Sequence, residues 1–415
     1  MLHDRIHAKL TEIDCDSVVV IAQRLIAAAS PNPPGHTGAV AQAAAEVISA
    51  TIPGVELTLY DVGNGIANVV ARVRGKSSGR RIILNGHLDT YPINESLPWT
   101  VDPLRGLFRA GRLYGRGAAD MKGGIAASIA ALAALAKVRE TWAGEAVLTL
   151  AGDEESMGVL GTQWLMDNVA YARGDAAIIG DAGSPMVLRF GEKGFLWVQL
   201  TASGKPSHGA HVHLGVNAVN RLRRALDALS DLAELPFTAP AGVTEAIAAA
   251  KPISELLCGS GEADVLGRVT VNVGRFEGGT SMNLVPASAF AAVDIRLPAG
   301  VSATRLEAAV ADALTPLEGI RWEVIRRVEP SVTSPEAEIV QLTAAAARHV
   351  LGRAPAVNMR VGGSDARLFR QAGIPTVVYG PTPFNMGGAD EYVLVEELEQ
   401  IARVHALAAF EFLRG

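Results

Sequence analysis

The chain of 415 residues carries 37 Lys and Arg against 43 Asp and Glu, a formal charge of −6, with 49% hydrophobic and 19% charged residues. This balance excludes a disordered chain, and without a basic run it gives nucleic-acid binding no support. Two cysteines, Cys15 and Cys258, form neither a CxxC motif nor a disulfide framework, which fits a reducing, cytoplasmic setting.

The start is charged from Asp4 onward and lacks an apolar core with a cleavage site, so no signal peptide is expected. Residues 15–29 and 38–51 have the spacing of amphipathic helices around the turn-rich "SPNPPGHTG". A strand "ANVVARVRG" and a strand with turn "RRIILNGHLD" come next, followed by an Ala-rich helix "GGIAASIAALAALAK". The apolar part of that helix, Ile125 to Ala136, falls short of the ~20 residues that a bilayer requires, and a soluble protein is expected. A strand "EAVLTLAGDEE", a helix "VLGTQWLMDNV" and a strand "AAIIGD" complete the first half. Helices alternating with apolar strands predict an α/β layer with a mostly parallel sheet.

The texture changes after "GEKG" at 191–194. The strand "FLWVQLTASG" and the helix "VNAVNRLRRALDALSDL" lead to the strands "RVTVNVGRFEG" and "AFAAVDIRLP". The helix "SATRLEAAVADAL" and the strand "IRWEVIRRVEP" close a βαββαβ order, an α+β sandwich. From "EAEIVQLTAAAARHVLG" the first pattern resumes, through "IPTVVYG" to a helix at 395–413. The chain therefore reads as one α/β catalytic domain, 1–189 and 331–415, interrupted by an inserted domain, 190–330.

Open α/β sheets bind ligands at the carboxyl ends of their strands. Those ends carry His87 and Asp89 after "IILNG", Asp153, Glu154 and Glu155 after "VLTLAG", and Asp181 after "AAIIG". Asp120 immediately precedes the Ala-rich helix. A lone strand-end carboxylate is ordinarily a turn residue or helix cap. Gathered on one edge, however, such groups repel one another unless a divalent cation joins them. Adjacent side chains of extended backbone point opposite ways, so Glu155 can face a metal while Glu154 faces a substrate. In His87-x-Asp89 the two side chains share a side, which suits Asp89 to fixing the tautomer of the ring.

Six stretches together resemble the M20 metallopeptidase family: "GHLDTYP", "DPLRGLFRAGRLYGRGAADMKGG", "AGDEESMGVLGT", "GEKGFLWVQLTASGKPSHG", "GGTSMNLVPASAFAAVDIRLP" and "GGSDARLFRQAGIPTVVYGP". The resemblance implies a zinc-exopeptidase-like catalytic domain with an inserted dimerisation or lid domain. It implies His87 and Glu155 as metal ligands, Asp120 bridging two ions, and Asp181 completing the second site. It further implies Glu154 as general base, Asp89 as the partner of His87, and His208 as the group reaching a partner subunit's site, although His211 or His213 could share that duty. Asn283 and Arg296 would contact substrate, and Arg367 would pair with a substrate carboxylate. Arg296 also fits an ordinary strand-face ion pair and Asn283 an ordinary turn. The histidines of "SHGAHVH" also fit an incidental surface metal site.

One position departs from the family pattern. Its last histidine ligand is expected four residues before Glu391, where this chain has Gly387. Three readings stay open: water, Asn385 or Asp390 fills the place; one ion suffices; or hydrolysis has been abandoned. An oxygen-rich site with one imidazole admits Mn²⁺ or Co²⁺ beside Zn²⁺, one or two per chain.

The expected function is a metal-dependent hydrolase. It would cleave an amide-type C–N bond of a small N-acyl amino acid or peptide-like carboxylate, by metal-activated water with Glu154 as general base. The alternatives are an atypical one-metal hydrolase or deaminase acting on a non-peptide substrate, and a non-catalytic binding protein that keeps the fold. The expected partners are a small carboxylate substrate and a second copy of the chain, with no nucleic acid and no membrane.

Overall fold

The structure, a computed structural model, describes residues 2–415. It falls into two compact units: residues 1–190, 333–358 and 364–415 form the first, and residues 191–332 with 359–363 the second.

The first unit is built on a twisted sheet of β1 (Glu56–Gly63), β2 (Ile66–Arg74), β3 (Arg81–His87), β4 (Glu145–Ala151), β5 (Ala176–Ile179), β6 (Val187–Glu192) and β7 (Thr376–Val378). Its order is β1-β2-β4-β3-β5-β7-β6. The central strands β4, β3, β5 and β7 run parallel, and β1, β2 and β6 pair antiparallel outside them. The central strands are continuous apolar runs because both of their faces are covered. Register decides where the chemistry sits. His87 pairs with Ala151, so β3 and β4 end at the same level, and Asp181 follows two residues after β5.

The Ala-rich helix, Gly123–Lys137, is preceded by an irregular turn, Ala118–Lys122, in which Asp120 has the extended angles φ −131°, ψ 91°. Together they make a 20-residue segment long and apolar enough to cross a membrane, longer than the stretch read from the sequence. Burial accounts for its composition, since 94% of the apolar window lies inside the protein. Small residues permit close packing: a Cβ at Gly124 would lie 1.7 Å from the carbonyl oxygen of Gly180. That approach brings the start of the helix against the end of β5 and sets Asp120 beside Asp181.

The second unit is a four-stranded antiparallel sheet in the order Thr270–Gly278, Ser288–Leu297, Gly194–Ser203, Ile320–Val328. Helices Ala218–Ser230 and Ala303–Leu314 cover one face. Ser288–Leu297 buries every second residue, the period of a sheet packed on one side.

Among the elements that escaped the sequence reading, two have a plain physical reason. The edge strand β1 is half-exposed or exposed throughout and has no buried face to show as an apolar pattern. Helix Val243–Cys258 carries Pro252 in its interior, a residue that ordinarily ends a helix.

Candidate metal centre

His87 is buried at the end of β3 and oriented by a backbone contact: its Nδ1 lies 2.9 Å from the carbonyl oxygen of Asp89. A carbonyl can only accept, so Nδ1 carries the proton and Nε2 keeps its lone pair in the neutral ring. That lone pair faces Asp120 Oδ1 at 2.9 Å. Two acceptors at this distance require a proton or a cation between them. Asp181 completes the group, with donor atoms of His87, Asp120 and Asp181 all within 4.8 Å of one another. Without a metal, burial works against the charged imidazole, but hydrogen bonds to Asp120 and Asp89 carry its pKa well above the usual histidine range.

Glu154 and Glu155 form a short turn after β4. Their backbone N–H groups donate to the two oxygens of the buried Asp89 carboxylate, at 3.1 and 3.0 Å. Asn32 donates to the same carboxylate at 2.8 Å and reaches Ser156 at 2.6 Å. Asp153 closes the loop from within, its Oδ2 accepting from the Leu160 amide at 2.7 Å. Burial, and then the neighbouring Asp120, pushes the Glu155 carboxyl up to about 8, and its buried Oε1 has no hydrogen-bond partner among the described residues. Glu154 is raised well above the carboxylate range, chiefly by burial. Crowded, desolvated carboxylates around a lone-pair imidazole are the donor set that a divalent cation satisfies. These residues fit a metal.

The other expected site residues divide in two. Arg367, in the first unit, is buried and donates from Nη1 to the Ser364 carbonyl and from Nη2 to the Met157 carbonyl, each at 2.7 Å. Its Nη1 also stands 3.8 Å from Glu154 Oε1. His208, Asn283 and Arg296 belong to the second unit. His208 is exposed, accepts the Ala210 amide on Nδ1 at 3.1 Å, and lies beside Asn283, whose carbonyl accepts from Gly209 at 2.6 Å. Arg296 ion-pairs with Asp294 at 2.9 Å and lies over the Phe195 ring.

Gly387 has φ 74°, and a Cβ there would meet the Tyr91 ring at 3.6 Å. The two residues considered as substitutes for the absent imidazole are engaged elsewhere. Asp390 holds the amide and hydroxyl of Thr100 at 2.8 and 2.6 Å, and Asn385 donates to the Asp390 carbonyl at 3.2 Å.

The sequence reading missed several residues that shape this centre. Glu391 is buried against Arg116 at 2.5 Å and accepts the amides of Ala119 and Asp120 at 2.9 and 3.4 Å. Lys122, also buried, donates to the Ala28 carbonyl at 2.8 Å. Asp365 accepts from Thr162 at 2.6 Å. One signal was present: an arginine and a lysine among the glycines and alanines of "GRGAADMKGG" enter a buried helix start, where charge demands a partner.

A parallel-centred α/β sheet with a histidine–carboxylate metal seat at its strand ends defines a metallohydrolase. The model of Peptidase family M20/M25/M40 matches residues 83–411, and the chain belongs to this family. The succinyl-diaminopimelate desuccinylase of Rhodospirillum centenum is 32% identical over 357 residues, covering 84% of this chain and 85% of the relative. That of Cereibacter sphaeroides strain KD131 is 32% identical over 365 residues, covering 85% and 88%. Among solved structures, the M20 family metallo-carboxypeptidase Sso-CP2 of Sulfolobus solfataricus superposes with a TM-score of 0.76 at 20% identity, covering 95% of this chain and 98% of the other. Human carnosine dipeptidase 1 gives 0.73 at 16% identity, covering 100% and 99%. These structures share the α/β fold with its mostly parallel central sheet.

Proposed function

We propose that the chain hydrolyses the amide bond of a small N-acyl amino acid or peptide-like carboxylate, using one divalent ion held by His87, Asp120 and Asp181. The observation that carries this reading is the Nε2 lone pair of His87 facing Asp120, with Asp181 in the same group and Glu154 on the adjoining loop. A divalent ion bound there supplies Lewis acidity toward a carbonyl oxygen and a water. Zn²⁺ suits the imidazole, and Mn²⁺ or Co²⁺ suits the carboxylates. Among the described residues only one group of three metal-ligating side chains comes together, which supports one ion over two.

Glu154 takes the proton of the attacking water and passes it to the departing amine. Burial raises its carboxyl above the ordinary carboxylate range, the direction a proton carrier needs. In the second unit, the bond from Ala210 occupies His208 Nδ1, so the proton of the neutral ring sits on Nε2. His208 is therefore a donor suited to the developing oxyanion in a partner subunit's site, and His211 and His213 follow it on the same exposed turn. Asn283, beside it, is the proposed second contact. Arg296, already paired with Asp294, is a weaker candidate for substrate.

The desuccinylases named above support an acylated amino acid as substrate. A homodimer is favoured by the exposed edge strand Thr270–Gly278 of the second unit, with Val273 and Phe276 open to solvent. Two free thiols favour a cytoplasmic setting.

The decisive test is Glu154→Gln. Turnover over a panel of N-acyl amino acids and dipeptides falls by about 10²–10⁴-fold, while metal content by plasma emission stays near one ion per chain. Full turnover in this variant excludes the mechanism, and a metal-free wild type purified from metal-replete medium excludes the site.

A further inference from the structure

We infer that Arg367 is a positioning residue that holds the loop of Glu154 in place, and that it is not a receptor for a substrate carboxylate. The inference rests on the reading of Glu154 as general base and assigns the segment Ser364–Arg367 a role in that same site.

A guanidinium that receives a ligand carboxylate presents its two parallel N–H bonds to the cavity. Two of the N–H bonds of Arg367, one from each Nη, are instead committed to backbone carbonyls. Nη1 donates to the Ser364 carbonyl and Nη2 to the Met157 carbonyl, both at 2.7 Å, and the side chain is 5% exposed. Met157 lies three residues beyond Glu154 in the same tight turn, its amide donating to the Glu154 carbonyl at 2.7 Å. The guanidinium thus fixes the far end of the turn while Nη1 faces the Glu154 carboxylate at 3.8 Å.

The neighbouring Asp365 grips the same loop. Its Oδ2 accepts from the Thr162 hydroxyl at 2.6 Å, and its Oδ1 would lie 2.5 Å from a Cβ at Gly158. Gly158 has φ 71°, a left-handed conformation that admits glycine easily, and no side chain fits between it and Asp365. Asp89 holds the beginning of the loop through the Glu154 and Glu155 amides. The loop is therefore tied at both ends, by Asp89 at one and by the Ser364–Arg367 segment at the other. Taking Arg367 away frees the end that sets the direction of the Glu154 carboxylate.

The test compares Arg367→Met, Arg367→Lys and Glu154→Gln on the best N-acyl amino acid from the substrate panel, with the Ki of the free product amino acid measured alongside. A misplaced catalytic group costs about 10²-fold, so Arg367→Met lowers kcat by that factor, with KM and Ki within about twofold of wild type and metal content unchanged. Arg367→Lys keeps the charge without the fork and falls between the two; if the Met variant does not fold, the Lys variant carries the test by the same split. A rise of tenfold or more in KM and Ki with kcat retained makes Arg367 the carboxylate receptor and overturns the inference. Loss of activity in Glu154→Gln together with that KM effect overturns the inference alone, whereas full activity in Glu154→Gln overturns the reading of the site beneath it.

Discussion

His87 is oriented by the backbone carbonyl of Asp89 at 2.9 Å, while the Asp89 carboxylate stands 3.5 Å from the same nitrogen. Its carboxylate is engaged with the Glu154 and Glu155 amides. One residue thereby sets the ring's tautomer through its main chain and builds the neighbouring turn through its side chain.

Asp89→Asn is therefore expected to damage the turn more than the ring. An amide offers one acceptor where two N–H groups need one each, and places a donor against the other. Loss of a buried charged hydrogen bond costs about 1.5–3 kcal/mol. Urea denaturation should show a destabilisation of that size, while the Nδ1 contact of His87, which uses the main chain, persists and metal is still bound.

Removing a member of the donor set has the opposite signature. In His87→Ala or Asp181→Asn the affinity for Zn²⁺, measured by calorimetry on chelator-stripped protein, should fall by more than the roughly 10–100-fold that outer-shell partners cost. Fold stability measured without metal should hold or rise in Asp181→Asn, because one of the crowded buried charges is gone, whereas His87→Ala strips Asp120 of its buried partner and should lose stability. An unchanged affinity in both variants removes the ion from this place.

Glu391 and Arg116 form a pair with side chains 1% and 2% exposed. Breaking a buried pair by removing one partner costs about 3–5 kcal/mol, since the other charge stays desolvated. Glu391→Ala should lose that much stability in urea titration. It should also weaken metal binding, because the amide of Asp120 loses its anchor.

His405 titrates apart from the site. Its Nε2–H donates to the Tyr379 carbonyl at 2.7 Å, and burial lowers its pKa to about 4 from 6.5. Between pH 6.5 and 4 the unfolded chain binds a proton that the folded chain refuses, so this residue's contribution is intact above 6.5 and is lost as the pH falls. The total is roughly 3 kcal/mol at about 1.4 kcal/mol per pKa unit. In His405→Gln, stability against pH by urea titration should be flatter over this window by one proton; a parallel curve contradicts the assignment.

Part of the candidate group was legible, because His87 ends one buried strand and Asp181 closely follows another, each with an unmistakable apolar run, while Glu155, read from the same rule, lies outside the group of three. Parallel pairing then does the gathering, and the strand-end rule needs no coordinates. Asp120 was legible only through the motif around it, since its extended backbone inside an irregular turn follows no helical period. What stayed hidden is the support. Glu391 meets Arg116 across 275 residues and Asp365 meets Thr162 across 203, and no local pattern marks contacts at such separation. Arg367 shows the limit of the motif itself: the residue type was legible, but its two carbonyl partners were not.

At Gly387 space is no obstacle, because a Cβ would rest on Tyr91 at an ordinary 3.6 Å. Only the left-handed backbone, φ 74°, resists a side chain, at a cost of about 1–2 kcal/mol, and Asn385 and Asp390 in the same loop already adopt such angles. A histidine at this position, where the family resemblance expects one, is thus a small energetic step away. A laboratory selection for a different metal requirement would find its first foothold at this glycine.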